Sequence, residues 1–264
     1  MLTTVRKVVW MAGALLLATA MMTSSTVVSA NGPDLVRVSA KVNGIESPVA
    51  PGSLVAKGTL KADGACDTPL VTLETAVSKG GPKHVSVSVE TSPQCEMIVK
   101  EVSSSSSIVQ PPSRPGNVKS VNPAAVNGSP APGRSAPMGA LETTYRVWAE
   151  SVYRDVARLA LTTAHGELQY KDSGSQVYGG SNPNNYCWWL PDGWSLDSCS
   201  STWDPNGTSE VWSEDYGSFH FTGNNWPHSQ SARAIGLPGD SYSASCSHQG
   251  DTVPGGLWTC DSGR

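Results

Sequence analysis

Five tryptophans, Trp188, Trp194, Trp203, Trp212 and Trp226, fall close together in the second half of the chain, among carboxylates and amides. On a β surface, indole rings beside such groups can stack on sugar rings while the polar neighbours bond sugar hydroxyls. The competing use is packing: this half has few Ile and Leu, so its aromatics must fill most of the core. Trp188 and Trp189 are adjacent and on a strand point to opposite faces, so one of them leaves the core face. Five carboxylates in the same stretch, Asp192, Asp197, Glu210, Glu214 and Asp215, could supply a hydrolytic acid and base if two lined a cleft about 5 to 9.5 Å apart. Asp204-Pro205-Asn206-Gly207-Thr208-Ser209-Glu210 spaces oxygen side chains as a calcium loop does, but its glycine is off the sixth position and a tight turn explains the same residues. The histidines, His84, His165, His220, His228 and His248, are scattered. His220 and His228 flank a turn and are the best placed for catalysis. No CxxC, HExxH or GxSxG spacing occurs, so no metal, cofactor or catalytic residue is assigned.

Gly239-Asp240-Ser241-Tyr242-Ser243 resembles the nucleophile block of the GDS-type esterases and lipases, in which the serine attacks an acyl carbonyl. In that family the block lies near the start of the catalytic domain and a DxxH pair follows much later. Here the 21 residues from 244 to 264 contain no DxxH. The local reading is a turn after Leu237-Pro238 that leads into a strand around Cys246.

The elements that must position these residues begin with an export signal. Arg6 and Lys7 precede an apolar stretch from Val8 to Met22, and Val28-Ser29-Ala30 supplies small residues for cleavage after Ala30. The apolar stretch is short of the roughly 20 residues that span a bilayer, so the expectation is a soluble, secreted chain with no membrane attachment after cleavage. Removing Arg6 and Lys7 from 18 basic residues leaves 16 against 22 acidic ones, a net charge of −6. That excess removes the electrostatic basis for binding nucleic acid or an anionic membrane.

Six cysteines in an exported chain read as disulfides. Cys66 and Cys95 lie in the first half and should pair. Of the three connectivities open to the other four, Cys187 with Cys199 and Cys246 with Cys260 are favoured, because each pair brackets a turn signal and could staple a hairpin.

Between 103 and 139 the chain carries seven prolines with no acidic or aromatic residue, the composition of an extended linker. Residues 31–102 before it show strand alternation, as in His84-Val85-Ser86-Val87-Ser88-Val89-Glu90, and read as a small β-rich domain without aromatics. Residues 140–264 hold the mature chain's aromatics and recurrent turn signals such as Pro191-Asp192-Gly193 and Pro254-Gly255-Gly256. They read as an antiparallel all-β domain, sandwich or barrel. One stretch stays open: Tyr145, Trp148, Val152, Val156 and Leu159 have helical spacing, yet 143–164 is also rich in β-branched and aromatic residues and reads equally as strands.

The runs Trp212-Ser213-Glu214-Asp215-Tyr216-Gly217-Ser218-Phe219-His220, His228-Ser229-Gln230-Ser231-Ala232 and Cys246-Ser247-His248-Gln249-Gly250 resemble exported Trp- and Cys-containing β proteins of actinomycete type. The resemblance covers about residues 140–264, implies secretion and a β fold, and carries no activity. The function expected is a secreted, non-enzymatic protein that holds a polysaccharide or cell-wall surface through an aromatic patch. The alternatives are a secreted glycosidase or esterase without a recognisable motif, and a structural envelope component.

Overall fold

Small apolar residues alternating with hydroxyl residues, as in Val85-Ser86-Val87-Ser88-Val89, place one set of side chains on a core face and the other on a wettable face. The computed structural model describes residues 35–110, 142–205 and 207–264; within them the chain forms strands and turns with no helix. The first half contributes β1 (Val36–Val42), β2 (Ile45–Pro48), β3 (Leu54–Lys57), β4 (Thr59–Leu60), β5 (Cys66–Val77), β6 (His84–Thr91) and β7 (Glu96–Ser105). The second contributes β8 (Thr143–Arg154), β9 (Ala160–Asp172), β10 (Val177–Ser181), β11 (Tyr186–Trp189), β12 (Trp194–Asp204), β13 (Val211–Phe221), β14 (Trp226–Leu237), β15 (Ser241–Thr252) and β16 (Leu257–Gly263). The segments 1–34 and 111–141, on which the expected export signal and most of the expected linker fall, lie outside the described residues.

Two antiparallel sheets pack as a sandwich that does not close into a barrel. Sheet I runs β12-β13-β14-β15-β5-β1-β2, with β4 also on β5; sheet II runs β10-β9-β8-β16-β6-β7-β3, with β11 also on β9. Residues 143–164, open between helix and strand in the sequence, are the hairpin β8–β9.

The sheets do not divide at the linker. β5 lies between β15 and β1, and β6 lies between β16 and β7, so strands from both compositional halves complete each sheet. One core cluster accordingly runs from Val38 through Val87 and Tyr153 to Cys260.

The three disulfides are Cys66–Cys95, Cys187–Cys199 and Cys246–Cys260. The hairpin-staple rationale for the last two is corrected, because each joins strands of opposite sheets: β11 to β12, and β15 to β16. Cys66 on β5 is likewise tied to the turn between β6 and β7 of the other sheet. The bridges therefore clamp the two layers together.

Candidate functional site

The outward face of sheet I is built from residues that the strand period turns away from the core. Thr202, Glu214, Arg233, Ser245, Glu74 and Ser39 form one cross-strand row. Ser200, Tyr216, Ser231, Ser247, Thr72 and Lys41 form the next. A shallow open groove of about 460 Å³ crosses these rows from Glu214 on β13 to Lys41 on β1 and the Asn43-Gly44 turn. Four strand spacings of about 4.8 Å give it a length of roughly 19 Å. Its lining combines two anions (Glu74, Glu214), two cations (Lys41, Arg233) and the hydroxyls of Thr72, Ser231, Ser245 and Ser247, with Leu70 as its largest apolar side chain. Ser231 and Ser247 share a hydrogen bond of 2.7 Å between their Oγ atoms.

Aromatic surface flanks the groove. Tyr216, opposite Ser231 in the β13–β14 pairing, is 42% exposed. Trp212 carries the Arg233 guanidinium over its ring, with Cζ 4.2 Å from the centroid. Arg233 also reaches Glu210 at 3.9 Å. The arrangement can offer donors, acceptors and ring faces at once to an extended polar ligand.

The five tryptophans expected to form a platform are not gathered on one surface. Trp212 alone lies beside the groove. Trp194 and Trp226 are buried in a ring cluster through Phe221, with centroid separations of 5.7 Å on each side, and the Trp226 Nε1–H donates to Asp63. Trp203 is half-buried on β12, on the side of the buried Ser201. Trp188 is half-buried on β11, opposite Thr163 of sheet II. Packing thus takes Trp194 and Trp226, as the shortage of Ile and Leu requires.

Of the candidate carboxylates, Glu214 and Asp215 are consecutive on β13 and point to opposite faces, one into the groove and one into the sandwich. That geometry prevents them from acting as a pair. Asp197 pairs with His220 at 2.6 Å near the surface. Gly239-Asp240-Ser241-Tyr242-Ser243 is the β14–β15 turn and the start of β15; Gly239 and Asp240 take the positive φ angles of 73° and 65° that such a turn needs. Ser243 Oγ–H donates to the Thr75 carbonyl, and Tyr242 is buried. The expected turn is present and no histidine bonds either serine.

Sequence reasoning did not anticipate how much polar chemistry is buried. On the face of sheet II turned away from sheet I, Arg146 Nε donates to Glu167, whose other oxygen lies 3.7 Å from His165 Nε2. His165 Nδ1 meets Glu150 at 3.2 Å, and the Tyr186 hydroxyl donates to the same Glu150 oxygen. The imidazole is stacked on Tyr186 at 4.8 Å and on Trp148 at 6.2 Å. Burial opposes its charged form, but the two glutamates outweigh burial and raise its pKa. Burial likewise opposes the Glu167 carboxylate, and His165 and Arg146 prevail in holding its pKa down. Between them, Gly166 faces sheet I so closely that a Cβ would fall 2.5 Å from the Ala232 carbonyl oxygen. The Glu167 carboxylate is thus compensated by the Arg146 guanidinium and by the imidazole of His165, which is the arrangement buried charges require.

Nearby, Asn185 caps the free Glu167 N–H of β9 and donates to Ser201 and Ser213 of sheet I. Asp215 is buried beside them, and burial pushes its carboxyl up to about 8. A second set lies deeper. His228 and His248, 4.6 Å apart between ring centroids, sit among Tyr153, Trp194, Phe219 and Trp258 with no hydrogen-bond partner on either ring. Burial pushes His228 down to about 3 and His248 well below its ordinary value.

Among the described residues no group of three or more His, Cys, Asp or Glu could hold a metal ion. Tyr216, Arg233 and Ser231 were not singled out in the sequence; the available signal was Glu214 and Tyr216 at even spacing with Trp212, which a strand places on one face. Comparison with known proteins finds no family model that matches the chain, and no match among curated proteins or solved structures.

Proposed function

We propose that this chain is a secreted, non-enzymatic binding protein that lays a polysaccharide strand of a cell wall or related surface along the outer groove of sheet I. The observation that carries the reading is the lining itself: hydroxyls and balanced charges crossing five strands, with the exposed Tyr216 and the Arg233-covered Trp212 alongside. Balanced charge suits a largely neutral polymer, whose recognition rests on hydrogen bonds and ring stacking. An open groove on rigid strands suits an extended ligand, since little ordering is required on binding. Three disulfides fit an oxidising compartment outside the cytoplasm.

The test is depletion of the mature protein from solution by chitin, cellulose, peptidoglycan and whole cells, followed by soluble oligosaccharides of the retained polymer. Tyr216→Ala and Glu214→Gln should each weaken binding about tenfold, equivalent to about 1.4 kcal/mol, while leaving the unfolding midpoint unchanged. Moderate salt should have little effect, because the contacts are short-ranged. Absence of depletion by every surface, or full binding by both variants, rejects the groove as a glycan site.

A further inference from the structure

We propose that Ser151 and Gln230 are a modification site, at which the serine hydroxyl condenses with the glutamine carboxamide to form an ester between the two sheets. Ser151 projects from β8 of sheet II and Gln230 from β14 of sheet I, and both are buried. The Ser151 hydroxyl donates to Gln230 Oε1 at 3.2 Å, and the Trp258 Nε1–H holds the Ser151 oxygen at 2.9 Å. The carboxamide nitrogen has no hydrogen-bond partner, nor has either ring nitrogen of His228 or His248. His228 precedes Gln230 by two residues on the same inward face, and His248 stands opposite Gln230 in the β14–β15 register.

A nucleophile and an acyl group in contact inside a dry core, with neutral imidazoles beside them, have the geometry of an intramolecular acyl transfer. Confinement of this kind supplies effective molarities far above any free solute, which compensates for the poor reactivity of an amide. In the step, Ser151 Oγ bonds to Gln230 Cδ and the Cδ–Nε2 bond breaks. The hydroxyl proton ends on the departing nitrogen, which leaves as ammonia. Atoms and charge balance without an oxidant or a cofactor. The product retains no amide N–H, so the unpartnered donor group of Gln230 disappears with the leaving group. The new bond would stand beside Cys246–Cys260, because Ser151 is paired with Cys260, and would join the same two layers.

The experiment is mass spectrometry of the secreted wild-type protein after full reduction and denaturation. The expected result is a mass one ammonia below that of the mature sequence, together with a branched peptide joining the Ser151 and Gln230 segments that hydroxylamine splits. Ser151→Ala should restore the full mass. The full sequence mass in the wild type overturns the proposal and leaves a hydrogen bond only. So does a deficit that maps elsewhere, such as a succinimide at Asn43-Gly44. The wild-type peptide map decides the matter even where the variant does not fold.

Discussion

His228 and His248 show what a buried titratable residue does to the stability of this fold. Both are neutral in the folded chain, because burial among aromatic rings disfavours their charged forms, whereas in the unfolded chain they titrate near 6.5. With a folded pKa below the unfolded one, their contribution is complete above about pH 7 and is lost as pH falls below 6.5, for His228 down to about 3. Each can steepen the loss by up to about 1.4 kcal/mol per pH unit. His165 works in the opposite sense: its raised pKa gives stability below its unfolded value that fades as pH rises. Urea unfolding at pH 7.5, 6 and 5 should show falling midpoints, and His228→Phe should flatten that slope; an unchanged slope would contradict the neutral, caged imidazole. Asp215 reports on the alkaline side. Burial raises it to about 8, so its stabilising contribution is whole below about pH 4 and declines as pH climbs to 8. Asp215→Asn should therefore gain at least about 1 kcal/mol at pH 9 and much less at pH 4. None of these environments was legible in the sequence. His165, His228 and His248 look alike in a string of letters, and their fates depend on strands far apart in the chain that close over them.

At the scale of elements, alternation was readable where one face of a strand is wet and unreadable where both are dry. β6 carries its period in plain view, alternating half-buried and buried side chains from His84 to Thr91. β8 is buried continuously from Val147 to Tyr153, so its apolar residues fall on both faces and imitate a helical spacing; tertiary burial, and no local preference, selects the strand. The disulfides give the same lesson. Proximity in sequence favoured the right partners, but a pair 14 residues apart, Cys246 and Cys260, crosses between layers because the chain changes sheet between β15 and β16. Replacing both cysteines by alanine should cost about 3 kcal/mol in the chain-entropy account. The loss should appear as separation of the layers, with faster hydrogen exchange in β15 and β16 together. Exchange raised in only one of the two strands would indicate local fraying and contradict the clamp.

The whole molecule depends on an interleaving that composition conceals. Between residues 31 and 144 there is no aromatic residue, and from Tyr145 onward they are frequent, which suggests two domains, yet the sheets treat the aliphatic first half as central strands. β5 is hydrogen-bonded along β15 from Val77–Tyr242 to Cys66–Thr252, and β6 along β16 from His84–Gly263 to Glu90–Leu257. Without the first half, β15 and β16 would become bare edges, and Val71, Leu73, Val85, Val87 and Val89 would be lost from the core. Residues 103–105 of the expected linker belong to β7, and the place where a protease should cut is the stretch 111–139, whose seven prolines disfavour regular structure. Cleavage there should leave the two fragments bound to each other under native conditions, even though no disulfide joins residues before the linker to residues after it. Size-exclusion chromatography of the nicked protein should give one peak at nearly the intact volume, and denaturant should release two chains without reduction. The fragment 140–264 expressed alone should aggregate or remain partly unfolded, and adding 31–102 should restore native tryptophan fluorescence. A fragment that folds unaided and gains nothing from its partner would mean that the pairings of β5 with β15 and β6 with β16 contribute little, and the fold would then be two domains resting side by side.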